Sequence, residues 1–126
     1  MNNINKIMAA VGFTEYSEEL LSYAAAIADS IGAEMIVVNI INSRDVEAVG
    51  AIAAMGYEVD SEHYVSGVEE ERRRALEQML KKISFPAERI RSVFKIGHPV
   101  EELLKIAVKE NVDLMVMGIK GRSDLE

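Results

Sequence analysis

The sequence contains no cysteine. That absence removes thiolate catalysis, disulfide staples, iron–sulfur clusters and Cys-ligated zinc at one stroke. It fits a reducing compartment, and a cytoplasmic protein is the expectation. Positive charge is scarce as well: 14 Lys and Arg against 21 Asp and Glu give a net charge of −7 over 126 residues. An acidic balance of this kind argues against broad electrostatic binding to nucleic acid or to an anionic membrane surface, while leaving room for one small basic pocket. Long apolar runs are missing too. Met35 to Ile41 is interrupted by Asn39 and falls far short of the about 20 residues a membrane span needs. The first six residues, Met1-Asn2-Asn3-Ile4-Asn5-Lys6, hold no apolar signal core.

Motifs that carry chemistry are also few. His63 and His98 are the only histidines, and their spacing gives no sign of a metal set or of a hydrolytic triad. There is no G-x-x-x-x-G-K-[ST] loop, no G-x-G-x-x-G after a strand and no G-x-S-x-G elbow. Ordinary P-loop NTPases, standard dinucleotide folds and α/β-hydrolases are thereby excluded. A carboxylate cluster of the kind a phosphate-accepting receiver domain needs is absent as well.

What is present is an alternation of two periodicities. Lys6 to Gly12 is an apolar run closed by glycine, as in a strand buried on both faces. From Ser17 the spacing turns helical, with Leu20, Ala24, Ile27, Ala28 and Ile31 on one face. Thr14 or Ser17 is positioned to cap this helix, Glu18 and Glu19 suit its positive end, and Gly32 stops it. Glu34 to Ile41 is a second buried strand. Asn42 to Ser66 is the least legible stretch: Val46, Val49, Ile52 and Ala53 suggest a short helix that Gly50 and Gly56 weaken, and a partly helical excursion is expected. Ser66 then opens an amphipathic helix carrying Val68, Ala75, Leu76, Met79, Leu80 and Ile83. Its Glu69-Glu70-Glu71 and Arg72-Arg73-Arg74 blocks form i, i+4 pairs and read as a solvated face, with a docking surface as the alternative.

Ile90 to Ile96 is a third strand, half wet or at an edge because Arg91 and Lys95 interrupt it. Gly97-His98-Pro99 turns into a helix with Val100, Leu103, Leu104, Ala107 and Val108, and Val112 to Met117 is a fourth, nearly all-apolar strand. Met79, Met115 and Met117 read as core filling. Strands alternating with helices give an α/β domain with a parallel sheet. The fourth strand reads as a central one, yet only Gly118 to Glu126 follow it. A final helix and strand are therefore expected to be missing here, or supplied by a partner.

In such a sheet ligands bind at the carboxyl ends of the strands. The fourth-strand loop, Gly118-Ile119-Lys120-Gly121-Arg122-Ser123, is a candidate phosphate cradle: two glycines let backbone N–H groups converge, and Lys120 and Arg122 add positive charge. The alternative is that the glycines only permit the turn. The first-strand loop, Gly12-Phe13-Thr14-Glu15, offers a tight exit and a hydroxyl.

Four segments, in order, resemble the universal stress protein family. They are Ala10 to Ser17 at the first-strand exit, Glu34 to Ile41, Gly97 to Leu104, and above all Val112-Asp113-Leu114-Met115-Val116-Met117-Gly118-Ile119-Lys120-Gly121-Arg122-Ser123. The resemblance covers the chain as one domain, 1–126, incomplete at its C-terminal end. It implies an open five-stranded parallel sheet in the order 3-2-1-4-5 with helices on both faces, and a homodimer paired through the fifth strand. It also implies, in one branch, an ATP or AMP site, with or without magnesium. Carried over, Val11, Gly12 and Ile40, with Met117 beside them, belong to the adenine and ribose region, Gly118, Gly121 and Arg122 to the phosphates, and Phe13 and Thr14 to the same cofactor site.

The second half of that branch's glycine pattern would fall beyond Arg122, where the sequence stops at Glu126. Gly12 stands where the nucleotide-binding branch has aspartate, so one carboxylate contact is lost. The expected function is a small stress-response protein acting as a nucleotide-linked sensor, at most a slow ATP hydrolase. The alternative is a non-nucleotide dimeric adaptor working through protein contacts.

Overall fold

The computed structural model describes residues 3–118. In chain order its elements are β1 (Lys6–Ala10), α1 (Ser17–Ile31), β2 (Glu34–Asn42), α2 (Ser43–Ala54), α3 (Ser61–Lys81), a short 3-10 turn at Ala87–Arg89, β3 (Ile90–Gly97), α4 (Pro99–Lys109) and β4 (Leu114–Met117). The four strands are parallel and lie in the order β3-β2-β1-β4. That is the expected order without the fifth strand, which has no counterpart among the described residues.

Register follows from side-chain alternation along each strand. Ile7, Ala9 and Val11 of the first strand point with Met35 and Val37 of the second toward α1 and α3, where Leu21, Ala24, Ala25, Ala28 and Leu76 close over them. Met8, Ile36 and Val38 point the other way and are covered by Leu103 and Ile106 of α4. Helices therefore cover both faces, and β1 and β2 are buried on both sides, as their unbroken apolar runs require.

Element ends have identifiable causes. Gly32 adopts φ 71° and returns its N–H to the carbonyls at the end of α1, a left-handed cap that glycine takes without steric cost. Arg89 donates from the far side to the carbonyls of Ala33 (2.7 Å) and Ala28 (3.4 Å). At the other end of α1, Thr14 and Ser17 cap each other instead of one capping the helix. The Thr14 N–H donates to Ser17 Oγ (2.9 Å), the Ser17 N–H to the Thr14 carbonyl (3.1 Å), and the Tyr16 N–H to Thr14 Oγ1 (3.2 Å).

Several expectations are corrected. The buried stripe of α1 is Leu21, Ala24, Ala25 and Ala28, and Ile27 and Ile31 are exposed. A narrow stripe of small residues lets the helix lie close to the sheet and turns the larger isoleucines outward. The excursion is more helical than its glycines suggest. Gly50 sits inside α2 facing α3, where an added Cβ would lie at van der Waals distance, 3.4 Å, from Ser61 Oγ. The α3 helix begins at Ser61, not Ser66, because the Asp60 carboxylate caps it by accepting from the N–H groups of Glu62 (2.8 Å) and His63 (3.1 Å). The fourth strand is paired on one side only among the described residues; its Leu114, Met115 and Val116 are half-buried, and Met117 is 51% exposed instead of filling core. Among the described residues the third strand pairs only with β2, as its Arg91 and Lys95 anticipate. Among the described residues no helix is long and apolar enough to cross a membrane.

Candidate functional site

A cleft of about 380 Å³ opens over the carboxyl ends of β1, β2 and β4. Its volume lies within the range of small-ligand sites, roughly 300–1,000 Å³. Six of the residues singled out from the sequence, Val11, Gly12, Thr14, Ile40, Met117 and Gly118, line it together. Phe13 does not. Its backbone is left-handed (φ 57°), a conformation that costs a non-glycine residue about 1–2 kcal/mol. Its ring packs into the α1/α3 core beside Phe94, with centroids 6.3 Å apart. Gly121 and Arg122 lie outside the described residues, as does the rest of their loop beyond Gly118.

The cleft has two unlike halves because it straddles the sheet. Ala10, Ile40 and Met117 point toward the α4 face by strand alternation and meet Pro99 and Leu103 there, forming an apolar wall. On the α1/α3 side Val11 and Leu20 are joined by the polar Ser17, Asn39 and Arg72 and by Thr14 and Tyr16 of the first-strand exit, while Asn42 and Asp45 lie where β2 passes into α2.

The polar half is built on a buried asparagine that motif reading did not assign. Asn39 is 4% exposed and uses both ends of its amide. Its Nδ2 donates to the Val11 carbonyl (2.6 Å), and its Oδ1 accepts from Arg72 Nη1 (2.7 Å). Burying an amide is tolerable only when it is paired in this way. The chain Arg72–Asn39–Val11 thus ties α3 to the exit of β1. Arg72 also lies over the Phe13 ring, 5.9 Å from its centroid, and Arg73 over Phe94 at 4.5 Å, both within the range of cation–π attraction. The Arg72-Arg73-Arg74 block is therefore not a uniformly solvated face: Arg74, paired with Glu70, fits that reading, while Arg72 is half-buried in the site. The one available sequence signal was Asn39 itself, a polar residue inside an otherwise apolar strand.

At the rim, the Glu15 carboxylate beside Tyr16 raises the phenol's pKa, chiefly through charge and then through a hydrogen bond, so Tyr16 remains a neutral hydroxyl. His98 occupies the N-cap of α4 through its backbone, accepting the Glu102 N–H at 2.9 Å; its ring makes no capping bond. Gly118 leaves little room on the α1 side, since an added Cβ would meet Leu20 Cδ1 at 3.3 Å, whereas at Gly12 the nearest atom is Thr14 Cγ2 at 3.8 Å. A Cβ at position 12 makes only an ordinary van der Waals contact.

An open parallel α/β sheet with helices on both faces and a cleft at its carboxyl edge defines the class of the fold. Within that class the sequence model of the universal stress protein family matches residues 3–126. The chain belongs to the universal stress protein family. It is 30% identical to universal stress protein A homolog 1 of Coxiella burnetii, over 95% of this chain and 79% of that protein. It is 24% identical to a universal stress protein of Methanocaldococcus jannaschii, over 96% of this chain and 80% of that one. The solved structure of the latter superposes with a TM-score of 0.75, covering 99% of this chain and 81% of its own. A further universal stress protein, solved in complex with cAMP, shares the fold at a TM-score of 0.59 and 15% identity, covering 90% of this chain and 71% of that one.

Proposed function

We propose that this protein binds an adenine nucleotide, ATP or AMP, in the cleft over β1 and β4 and serves as a nucleotide-linked sensor in a stress response. The observation that carries this reading is the gathering of Val11, Gly12, Thr14, Ile40, Met117 and Gly118 around one ligand-sized space. A solved relative of the same fold in complex with cAMP supports a nucleotide ligand.

The residues present fit such a ligand. An apolar wall of Ala10, Ile40, Met117 and Leu103 suits the flat face of a base. Thr14 and Ser17 lie on the polar side for the sugar, and the backbone at Gly118, with Gly121 and Arg122 following in sequence, takes the phosphates. Binding of this kind excludes water from the base and leaves the charged end at the mouth. A homodimer in the cytoplasm, formed as the family resemblance implies, completes the reading. Any turnover would be slow.

Isothermal titration of the protein with ATP and AMP, with and without magnesium, tests it. Micromolar binding is the expected result. No binding at millimolar nucleotide overturns it in favour of a dimeric adaptor, the reading to which Gly12, lacking a carboxylate, otherwise points.

A further inference from the structure

The carboxylate missing at position 12 leaves the cleft short of a strong hydrogen-bond acceptor, and the tertiary structure brings another to the same space. Asp45 lies in the first turn of α2, immediately beyond the carboxyl end of β2, and lines the cleft together with Gly12. Asn42, the last residue of β2, fixes that turn by accepting the Arg44 N–H on its Oδ1 at 3.0 Å. The start of α2 is thereby held at the rim of the cleft.

The other polar groups of the lining are largely committed. The Asn39 amide is used at both ends, Ser17 Oγ accepts from Thr14, and Thr14 Oγ1 accepts from Tyr16. Asp45 is the only carboxylate lining the cleft among the described residues. It takes part in none of their ion pairs. Arg72, the cation lining the same cleft, is anchored to Asn39 instead. An ionised carboxylate has two acceptor oxygens and no donor, and a ribose presents two adjacent hydroxyl donors, the pairing by which carboxylates read ribose in other α/β nucleotide sites. The base belongs against the apolar wall, and Asp45, exposed at the mouth, is placed for the more polar sugar.

We propose that Asp45 accepts hydrogen bonds from the ribose hydroxyls of the bound nucleotide, supplying from α2 the carboxylate that position 12 lacks. The proposal rests on the nucleotide reading above. It makes Asp45 a residue that distinguishes a ribonucleotide from its dideoxy counterpart.

The test is titration of the full chain, as wild type and as Asp45→Asn, with AMP and with 2′,3′-dideoxy-AMP. The wild type should prefer AMP by about tenfold or more, the scale of a charge-assisted hydrogen bond. Asp45→Asn should lose that preference, binding AMP correspondingly more weakly and dideoxy-AMP as the wild type does. Adding Gly12→Asp to Asp45→Asn should recover AMP affinity, because a Cβ at position 12 meets nothing closer than 3.8 Å and the carboxylate returns to the same cleft. An Asn variant that binds AMP like the wild type, that weakens both ligands alike, or that Gly12→Asp does not rescue overturns the assignment while leaving the nucleotide reading intact. Failure of the wild type to bind AMP at millimolar concentration overturns both.

Discussion

The two faces of the sheet are built to different depths. On the α1/α3 face, β1 and β2 meet two helices, and a continuous layer from Ile7 and Val37 through Leu21 and Ala28 to Leu76 is closed to water. On the other face, among the described residues, α4 alone covers Met8, Ile36 and Val38, using Leu103 and Ile106, while its Val100, Leu104 and Val108 stand 57–79% exposed in an i, i+4, i+8 stripe. The cleft inherits this asymmetry. Its polar half lies where Asn39 and Arg72 are packed under a helix, its apolar half where Met117 stays open. Thickness of cover decides which polar groups can be held in place: a buried amide needs a helix above it to supply the second partner.

The largest test of that asymmetry is a matched pair of truncations. Leu21→Ala, at a fully buried position, should cost about 3–5 kcal/mol, the upper part of the range for core leucines. Leu103→Ala, 7% exposed on the inner side of α4, should cost about 2–3 kcal/mol, because water and neighbouring side chains reach the vacated space more easily. Urea denaturation of both variants measures the difference, and equal losses would mean that the two faces are equivalent after all. Next in size is Asn39→Leu. It keeps the volume and apolar burial but leaves the Val11 carbonyl and the Arg72 guanidinium without their partner, at a cost of about 1–3 kcal/mol. A neutral outcome would show that water replaces Asn39 and that the tie from α3 to β1 is dispensable.

Leu104→Ser, on the exposed stripe of α4, should change stability by no more than about 0.5 kcal/mol. A loss several times larger would show that this stripe is covered in solution. The smallest effect is a pH dependence at the start of α3. The hydrogen bond between Asp60 and His63 lowers the pKa of the carboxyl and raises that of the imidazole. The histidine's contribution is complete below its ordinary pKa of about 6.5 and disappears as pH rises through the raised value. The aspartate's is complete above its ordinary value of about 3.9 and disappears as pH falls through the lowered one. The helix start should therefore hold best between about pH 4 and 6.5. An NMR titration checks this, and a His63 midpoint at or below the ordinary value would remove the pair.

Legibility in the sequence tracked locality. The runs Ile7–Val11 and Met35–Ile41 announced buried parallel strands, and Gly32 a helix end, because each is decided by neighbours a few residues away. The glycine and hydroxyl positions of the first-strand exit and Met117-Gly118 were legible for the same reason, and the fold gathers them over one cleft. The start of α3 was misplaced because an Asp60 cap competes with a weaker helical pattern and its own interior Gly67. The outward turn of Ile27 and Ile31 was not legible either, since hydrophobic spacing alone does not say how closely a helix must approach its sheet.

The sequence by itself determined the class of the fold, the parallel order of its elements and the loops where a ligand would be sought. These rest on periodicity, turn chemistry and motif, all short-range properties of the chain. Only the tertiary structure decided that Arg72 leaves the solvated face to hold Asn39, that Phe13 turns into the core, and that Asp45 stands at the rim beside Gly12. Those placements depend on which helix packs over which end of the sheet, and residues 33 positions apart, as Asn39 and Arg72 are, carry no local pattern that records their meeting.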